Sequence, residues 1–290
     1  MKDLIIKRVK SDGQSQPSVV LMEKNNIPYL SFPALEEIPC VKHVFSTRLG
    51  GVSTGIYESM NFSFVRGDNE KSVLENYKRI ADIMDCTLDD VVCSHQTHTA
   101  NIRKVTREDA GKGLTRNRDY EDIDGLVTNE KGLCLALFFA DCVPVYFVDP
   151  IKQVIGLAHS GWKGTVLKIS QKMIQMMETE YGSDANHIIV AIGPSICSDC
   201  YEVSKDVATA FMEAFPGALS DGKLLRYGKE EGKYQLDLWN AVERTLLESG
   251  IRKENITVTD LCTCCNPKLL FSHRASNGQR GNLGAFLKLI

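Results

Sequence analysis

Two histidines and a cysteine stand out as the residues of this chain best suited to chemistry: His98 in Gln96-Thr97-His98, Cys142 in Ala140-Asp141-Cys142 and His159 in Ala158-His159-Ser160-Gly161-Trp162. Imidazole and thiolate together suit a borderline-soft ion such as zinc, and three protein ligands with one position left for water or substrate is the usual catalytic arrangement. The separations are 44 residues from His98 to Cys142 and 17 from Cys142 to His159, so no short zinc-finger signature is present. Residue type and placement at the edges of apolar runs carry the reading instead. Two other chemistries use the same residues. A cysteine with two histidines resembles a blue-copper ligand set, and Cys142 with His159 as base would make a thiol hydrolase or amidase. Asp141 precedes Cys142, so in an extended strand it points to the opposite face. It is read either as an orienting carboxylate behind a ligand or as a strand-end acceptor for backbone N–H groups.

A substrate anion needs cationic partners. Arg48 lies beside Gly50-Gly51, where a guanidinium fork and free backbone N–H groups both match phosphate oxygens; the alternative is an arginine that tethers its loop. Gln96, delivered to the same strand end as His98, Ser195 after Gly193-Pro194, and Arg274 after Ser272-His273 complete the expected substrate pocket. Arg280 sits nearby in sequence in Gly278-Gln279-Arg280. Cys197 and Cys200 form a Cys-x-x-Cys pair and Cys262, Cys264 and Cys265 a cluster; free, mostly buried thiols are favoured there over a second zinc or redox site. His43 and His187 lie in strand-like runs and read as satisfied core or edge residues.

These side chains need rigid carriers. Val41–Thr47 alternates like a strand and runs into the turn at Gly50-Gly51, while Val73, Leu74, Tyr77, Ile80, Ala81 and Met84 recur at helical spacing over 71–84. Val91–Ser94 reads as the strand that delivers Gln96 and His98. Asp124-Gly125-Leu126-Val127-Thr128 is a turn entering a strand. Leu133–Phe139, Val143–Val148 and Val154–Ala158 are nearly unbroken apolar runs, the mark of strands covered on both faces. A helix is expected over 165–181, a strand over 187–192, helices from near 203 and over 236–248, and short strands at 256–258 and 269–271. Residues 1–30 read as an extended entry, with a loop at 11–15. One domain covering 1–290 is expected, mixed α and β without the regular alternation of a doubly wound sheet.

Composition narrows the partners. With 43% hydrophobic and 24% charged residues among 290, the chain can build a large core and does not need disulfide staples, although it has ten cysteines. A formal net charge of -3 gives no global attraction to nucleic acid or an anionic membrane surface. No run approaches the ~20 apolar residues of a membrane helix, and Met1-Lys2-Asp3-Leu4 opens no signal peptide, so a cytoplasmic location is expected.

Taken in order, Thr47-Arg48-Leu49-Gly50-Gly51-Val52-Ser53, Gln96-Thr97-His98, Asp124-Gly125-Leu126-Val127-Thr128, Ala140-Asp141-Cys142-Val143-Pro144, Ala158-His159-Ser160-Gly161-Trp162-Lys163-Gly164-Thr165, Ile192-Gly193-Pro194-Ser195-Ile196 and Cys200-Tyr201-Glu202-Val203 resemble the motif series of the YfiH-like, or laccase-domain, family. The resemblance implies an α/β/β/α layered fold, distantly similar to the cysteine-hydrolase domain of cytotoxic necrotizing factor toxins. It implies a cytoplasmic purine nucleoside enzyme that phosphorolyses adenosine, inosine, guanosine and methylthioadenosine and deaminates adenosine. Its metal ligands carry over onto His98, Cys142 and His159, with zinc the expected ion and copper possible. Purine nucleoside and phosphate are then the partners, without nucleic acid or membrane, in a monomer or homodimer. Deamination wants a carboxylate general acid and base, for which Asp141 and Glu202 are the candidates. Against the copper oxidase named in the family's title, a multicopper centre uses on the order of ten imidazoles, and this chain has six.

Overall fold

The computed structural model of the chain describes residues 5–9 and 16–290; the loop expected at 11–15 lies outside them. Two six-stranded sheets pack face to face. One runs, in spatial order, β1 (Val20–Lys24), β2 (Ile27–Ser31), β3 (Val41–Ser46), β15 (Leu283–Leu289), β7 (Cys134–Phe139) and β4 (Val91–Cys93). The other runs β14 (Ile256–Val258), β10 (Ile189–Ile192), β8 (Val143–Asp149), β9 (Val154–Ser160), β6 (Gly125–Thr128) and β5 (Ile102–Lys104). A small third sheet joins β11 (Glu202–Ser204), β13 (Lys233–Leu236) and β12 (Leu225–Tyr227). Helices α1 (Pro33–Glu36), α2 (Glu70–Ile83), α3 (Trp162–Val166), α4 (Ile169–Tyr181), α5 (Lys205–Ala214) and α6 (Leu238–Glu248) complete the elements.

The central strands look uniformly apolar because each buries both faces. In β7, Leu135, Leu137 and Phe139 point between the sheets, while Cys134, Ala136 and Phe138 face α2. In β8, Tyr146 and Val148 point inward and Val143, Val145 and Phe147 face the α4–α6 side. Alternation is present, but both halves of it are hydrophobic. The layers are therefore α2, sheet, sheet, then α3–α6, which is the expected α/β/β/α sandwich. Asn69 starts α2 by accepting from the backbone N–H groups of Lys71 and Ser72, and Asp237 starts α6 by accepting from that of Asn240.

Some expectations need correction. The helix expected over 165–181 is two helices, because Lys168 adopts a left-handed φ of 57° and redirects the chain from α3, under the site, to α4 along β9. Leu269-Leu270-Phe271 is not a strand. Leu269 and Leu270 both donate to the Asn266 carbonyl within a turn, and the run is apolar because it is buried. Val203 belongs to β11, with α5 starting two residues later, and Leu236 closes β13 before α6. The extended entry contains the β1–β2 hairpin at the first sheet's edge. None of the described helices is long and apolar enough to cross a membrane.

Candidate functional site

The site assembles around a carboxylate that the residue types alone do not single out. Asp124 precedes β6 and is fully buried. Since Gly125 pairs with Ala158 across the β6–β9 ladder, Asp124 lies beside His159. Its Oδ1 sits 2.7 Å from His159 Nδ1. The same carboxylate accepts from the backbone N–H groups of Thr97 (3.2 Å), His98 (3.1 Å) and Thr99 (2.8 Å) and from the Thr99 hydroxyl (2.8 Å). One side chain thus orients one imidazole and folds the loop that carries the other. His98 takes a left-handed φ of 66° inside that loop. Bound through Nδ1, His159 presents Nε2 to the site, which is how a carboxylate fixes a ligating histidine.

Cys142 arrives by the β8–β9 hairpin. Val143 pairs with Ser160 and Pro144 with His159, so the same register puts Cys142 opposite Gly161, and the 17-residue spacing is the length of the hairpin. The ligating atoms of His98, Cys142 and His159 all lie within 4.8 Å of one another, with Cys142 Sγ 3.9 Å from His98 Nε2. Space for the trio depends on the missing side chain of Gly161. A Cβ there would come within 2.9 Å of His98 Cδ2 and 3.1 Å of Cys142 Sγ. Gly161→Ala is therefore expected to spread the donors and weaken metal binding about 10- to 100-fold, read by competition with a chelating indicator; unchanged affinity would mean the cradle is not needed.

The donors are electrostatically matched. Burial opposes ionisation of Cys142, but the neighbouring His159 and His98 imidazoles outweigh it and bring the thiol down to about 6. Burial likewise opposes charge on His159, yet Cys142 and Asp124 overcome it and raise the imidazole to about 9. Burial of Asp124 is offset by His159 and the Thr99 amide, which hold its carboxyl below the usual range. A thiolate near neutral pH is the form that both a metal ligand and a nucleophile require. Two nitrogens, one sulfur, an oriented imidazole and a glycine cradle fit a borderline-soft divalent ion.

The trio opens into a cavity of about 460 Å³. Three arginines that spacing left unnoticed or unassigned, Arg66, Arg118 and Arg280, stand in its wall. Arg66 donates to the carbonyls of Gly278 and Arg280, and Arg118 to that of Ser94. Among the described residues no carboxylate lies within ion-pair distance of any of the three. Burial together with Arg66 draws the Arg280 guanidinium down to about 10, and its Nε has no partner. Phe64, stacked on Tyr77 at 5.7 Å, and Phe138 line the same space.

The other expected residues lie elsewhere or act through the backbone. Gln96 reaches the cavity wall, but its amide is engaged with the backbone N–H and carbonyl of Phe138, at 2.8 and 2.7 Å. Asp141 has a φ of 89°, so it sits in a bend rather than a strand. Its carboxylate accepts from Thr263 Oγ1 and from the Arg274 backbone N–H, binding a loop and not a ligand. The Arg274 guanidinium donates to the carbonyls of Cys200 and Glu202. Ser195 is fully buried and accepts from Trp239 Nε1 at 2.6 Å. Arg48 tethers its loop through the carbonyls of Glu58 and Pro267 and stacks over Phe271, away from the cavity.

Residues 42–290 match the family model described as multi-copper polyphenol oxidoreductase laccase. The chain belongs to this family. Among its laccase-domain relatives is the purine nucleoside phosphorylase YlmD of Bacillus subtilis, 39% identical over 84% of this chain and 86% of that protein. Solved structures share the fold. YlmD from Geobacillus stearothermophilus superposes with a TM-score of 0.84 at 34% identity, covering 93% of this chain and 99% of its own. A Bacillus licheniformis protein described as hypothetical protein YfiH gives 0.83 at 37% identity, covering 95% and 98%.

Proposed function

We propose that this laccase-domain chain is a zinc-dependent purine nucleoside phosphorylase, acting in the cytoplasm as one catalytic unit on adenosine, inosine, guanosine and methylthioadenosine, with adenosine deamination as an accompanying activity. The observation that carries phosphorolysis is the cavity wall: three guanidinium groups without carboxylate partners beside the His98, Cys142 and His159 donors. The names of the relatives point the same way.

Phosphorolysis asks a protein to hold a polyanion against the anomeric carbon while positive charge grows on the sugar. Arg66, Arg118 and Arg280 supply the cations, in forks suited to phosphate oxygens. Phe64 and Phe138 offer apolar faces to a purine. His98, Cys142 and His159 would hold the zinc, which when bound would supply Lewis-acid chemistry at the cavity. Asp124 keeps His159 in the ligating tautomer, and Asp141 holds the loop behind Cys142 rather than exchanging protons. No carboxylate lines the cavity among the described residues, so the general acid and base of deamination find less support than the anion site does. A copper oxidase finds less still, because only two imidazoles stand in the donor set.

The test is incubation of zinc-loaded protein with adenosine and with inosine, with and without phosphate, the products resolved by chromatography. Ribose 1-phosphate formed only with phosphate is the expected result, and its absence from every incubation would defeat the proposal. Arg280→Gln should raise KM for phosphate on the order of ten- to a hundredfold, the worth of one charged hydrogen-bond donor.

A further inference from the structure

Outside the wall of the cavity, four further thiols converge. Cys197 and Cys200 lie on the turn after β10, and Cys262 and Cys265 lie on the turn after β14. Each pair has Cys-x-x-Cys spacing, the second partly hidden by the intervening Cys264. All four Sγ atoms lie within 4.8 Å of one another, and those of Cys200 and Cys265 are 3.5 Å apart. Tetrahedral coordination at a zinc–sulfur distance of about 2.3 Å sets the sulfurs about 3.8 Å apart, so the cluster matches the size of such a centre. Cys197 and Cys262 are almost wholly buried and the other two half-buried. The backbone also treats Cys262 as a thiolate ligand is usually treated: its sulfur accepts from the N–H groups of Cys197 (3.2 Å) and Cys265 (3.4 Å).

We propose that Cys197, Cys200, Cys262 and Cys265 form a second, closed metal site that holds one structural zinc ion. Four ligands leave no open position, so the site is a clamp and not a catalyst. What it clamps is specific. Ser195 bridges to Cys262, and the Thr263 N–H donates to the Ser195 carbonyl. Ile196, the residue before Cys197, donates its N–H to the Asp141 carbonyl, and Thr263, the residue after Cys262, donates its hydroxyl to the Asp141 carboxylate. Both arms of the thiol cluster therefore grip the residue next to Cys142. Zinc there ties two chain segments 65 residues apart and fixes the bend that presents Cys142 to the first site.

Metal content tests this independently of activity. Protein purified under reducing conditions and reconstituted with zinc should carry two equivalents. Cys200→Ser and Cys265→Ser should each drop to one, whereas Cys264→Ser keeps two. The double variant His98→Ala/His159→Ala should retain one equivalent, whose X-ray absorption shows four sulfurs at about 2.3 Å. Loss of zinc from the second site should also speed amide hydrogen exchange at Ile196 and Thr263. A single equivalent in reconstituted wild-type protein that Cys200→Ser still holds or whose shell mixes nitrogen and sulfur, a mixed nitrogen and sulfur shell in the double histidine variant, iron in place of zinc, or a Cys200–Cys265 disulfide under those conditions would overturn the proposal. Should the serine variants fail to fold, the wild-type stoichiometry and the sulfur count still decide it.

Discussion

Under the proposed function, Cys142→Ala is expected to lower phosphorolysis by on the order of a thousandfold or more and to release the zinc proposed at His98 and His159. The size follows from what is lost. A Lewis acid contributes several kcal/mol of transition-state charge stabilisation, and each 1.36 kcal/mol is a factor of about ten in rate. Two imidazoles alone leave a site short of a ligand and of its negative charge. The same variant would also inactivate a thiol nucleophile, a reading that the thiol at about 6 beside an imidazole at about 9 serves as well as it serves a metal ligand. Chelation separates the two. If zinc is the catalyst, wild-type protein stripped with a chelator loses activity and recovers it with added zinc, while Cys142→Ala recovers nothing. If Cys142 is the nucleophile, stripped wild-type protein keeps its activity, and the metal proposal falls. Total metal must be read as well as activity, because a second site would retain its own ion in both proteins.

The convergence of His98, Cys142 and His159 was legible from residue type, since imidazole and thiol at the ends of apolar runs are few, and from the ordered motifs around them. The hairpin that unites Cys142 with His159 was legible too, because Val143–Val148 and Val154–Ala158 read as neighbouring strands. Asp124 was visible only as a turn residue. Its importance lies in contacts with the backbone of Thr97, His98 and Thr99, 25 to 27 residues away, which no local pattern encodes. The arginines of the cavity wall went unassigned for a related reason. Arg48 beside two glycines offers the right chemistry, but its guanidinium is spent on the carbonyls of Glu58 and Pro267. Arg66, Arg118 and Arg280 sit on separate loops that only the folded sheets bring to one wall. The run Leu269-Leu270-Phe271 shows the same limit in the fold. Hydrophobicity reports burial reliably, but a buried turn and a buried strand look alike over three residues.

Asp124 should divide the functions of the site from its stability. Asp124→Asn preserves the shape and one acceptor oxygen, which can still receive part of the Thr97–Thr99 amide set. Its amide nitrogen, however, is a donor facing either those N–H groups or His159 Nδ1, so the imidazole loses the charge that orients it. Zinc affinity is expected to fall about 10- to 100-fold, with phosphorolysis recovered in part by excess zinc, while the fold survives. Asp124→Ala removes the shared acceptor of the Thr97, His98 and Thr99 N–H groups and strips His159 of its carboxylate, while the Thr99 hydroxyl keeps the Asp122 carbonyl. Removing the buried carboxylate partner of His159 should cost about 3–5 kcal/mol of stability, measured by urea unfolding of the zinc-free protein so that metal binding does not enter the comparison. Wild-type zinc affinity in the asparagine variant would show that His159 is oriented by packing alone, against Phe139 at 5.4 Å and His98 at 5.0 Å. Equal stability of the alanine and wild-type proteins would show that the loop carrying His98 does not depend on this carboxylate. Because the same oxygens serve the ligand and the loop, the two effects should be separable in the asparagine variant and inseparable in the alanine one.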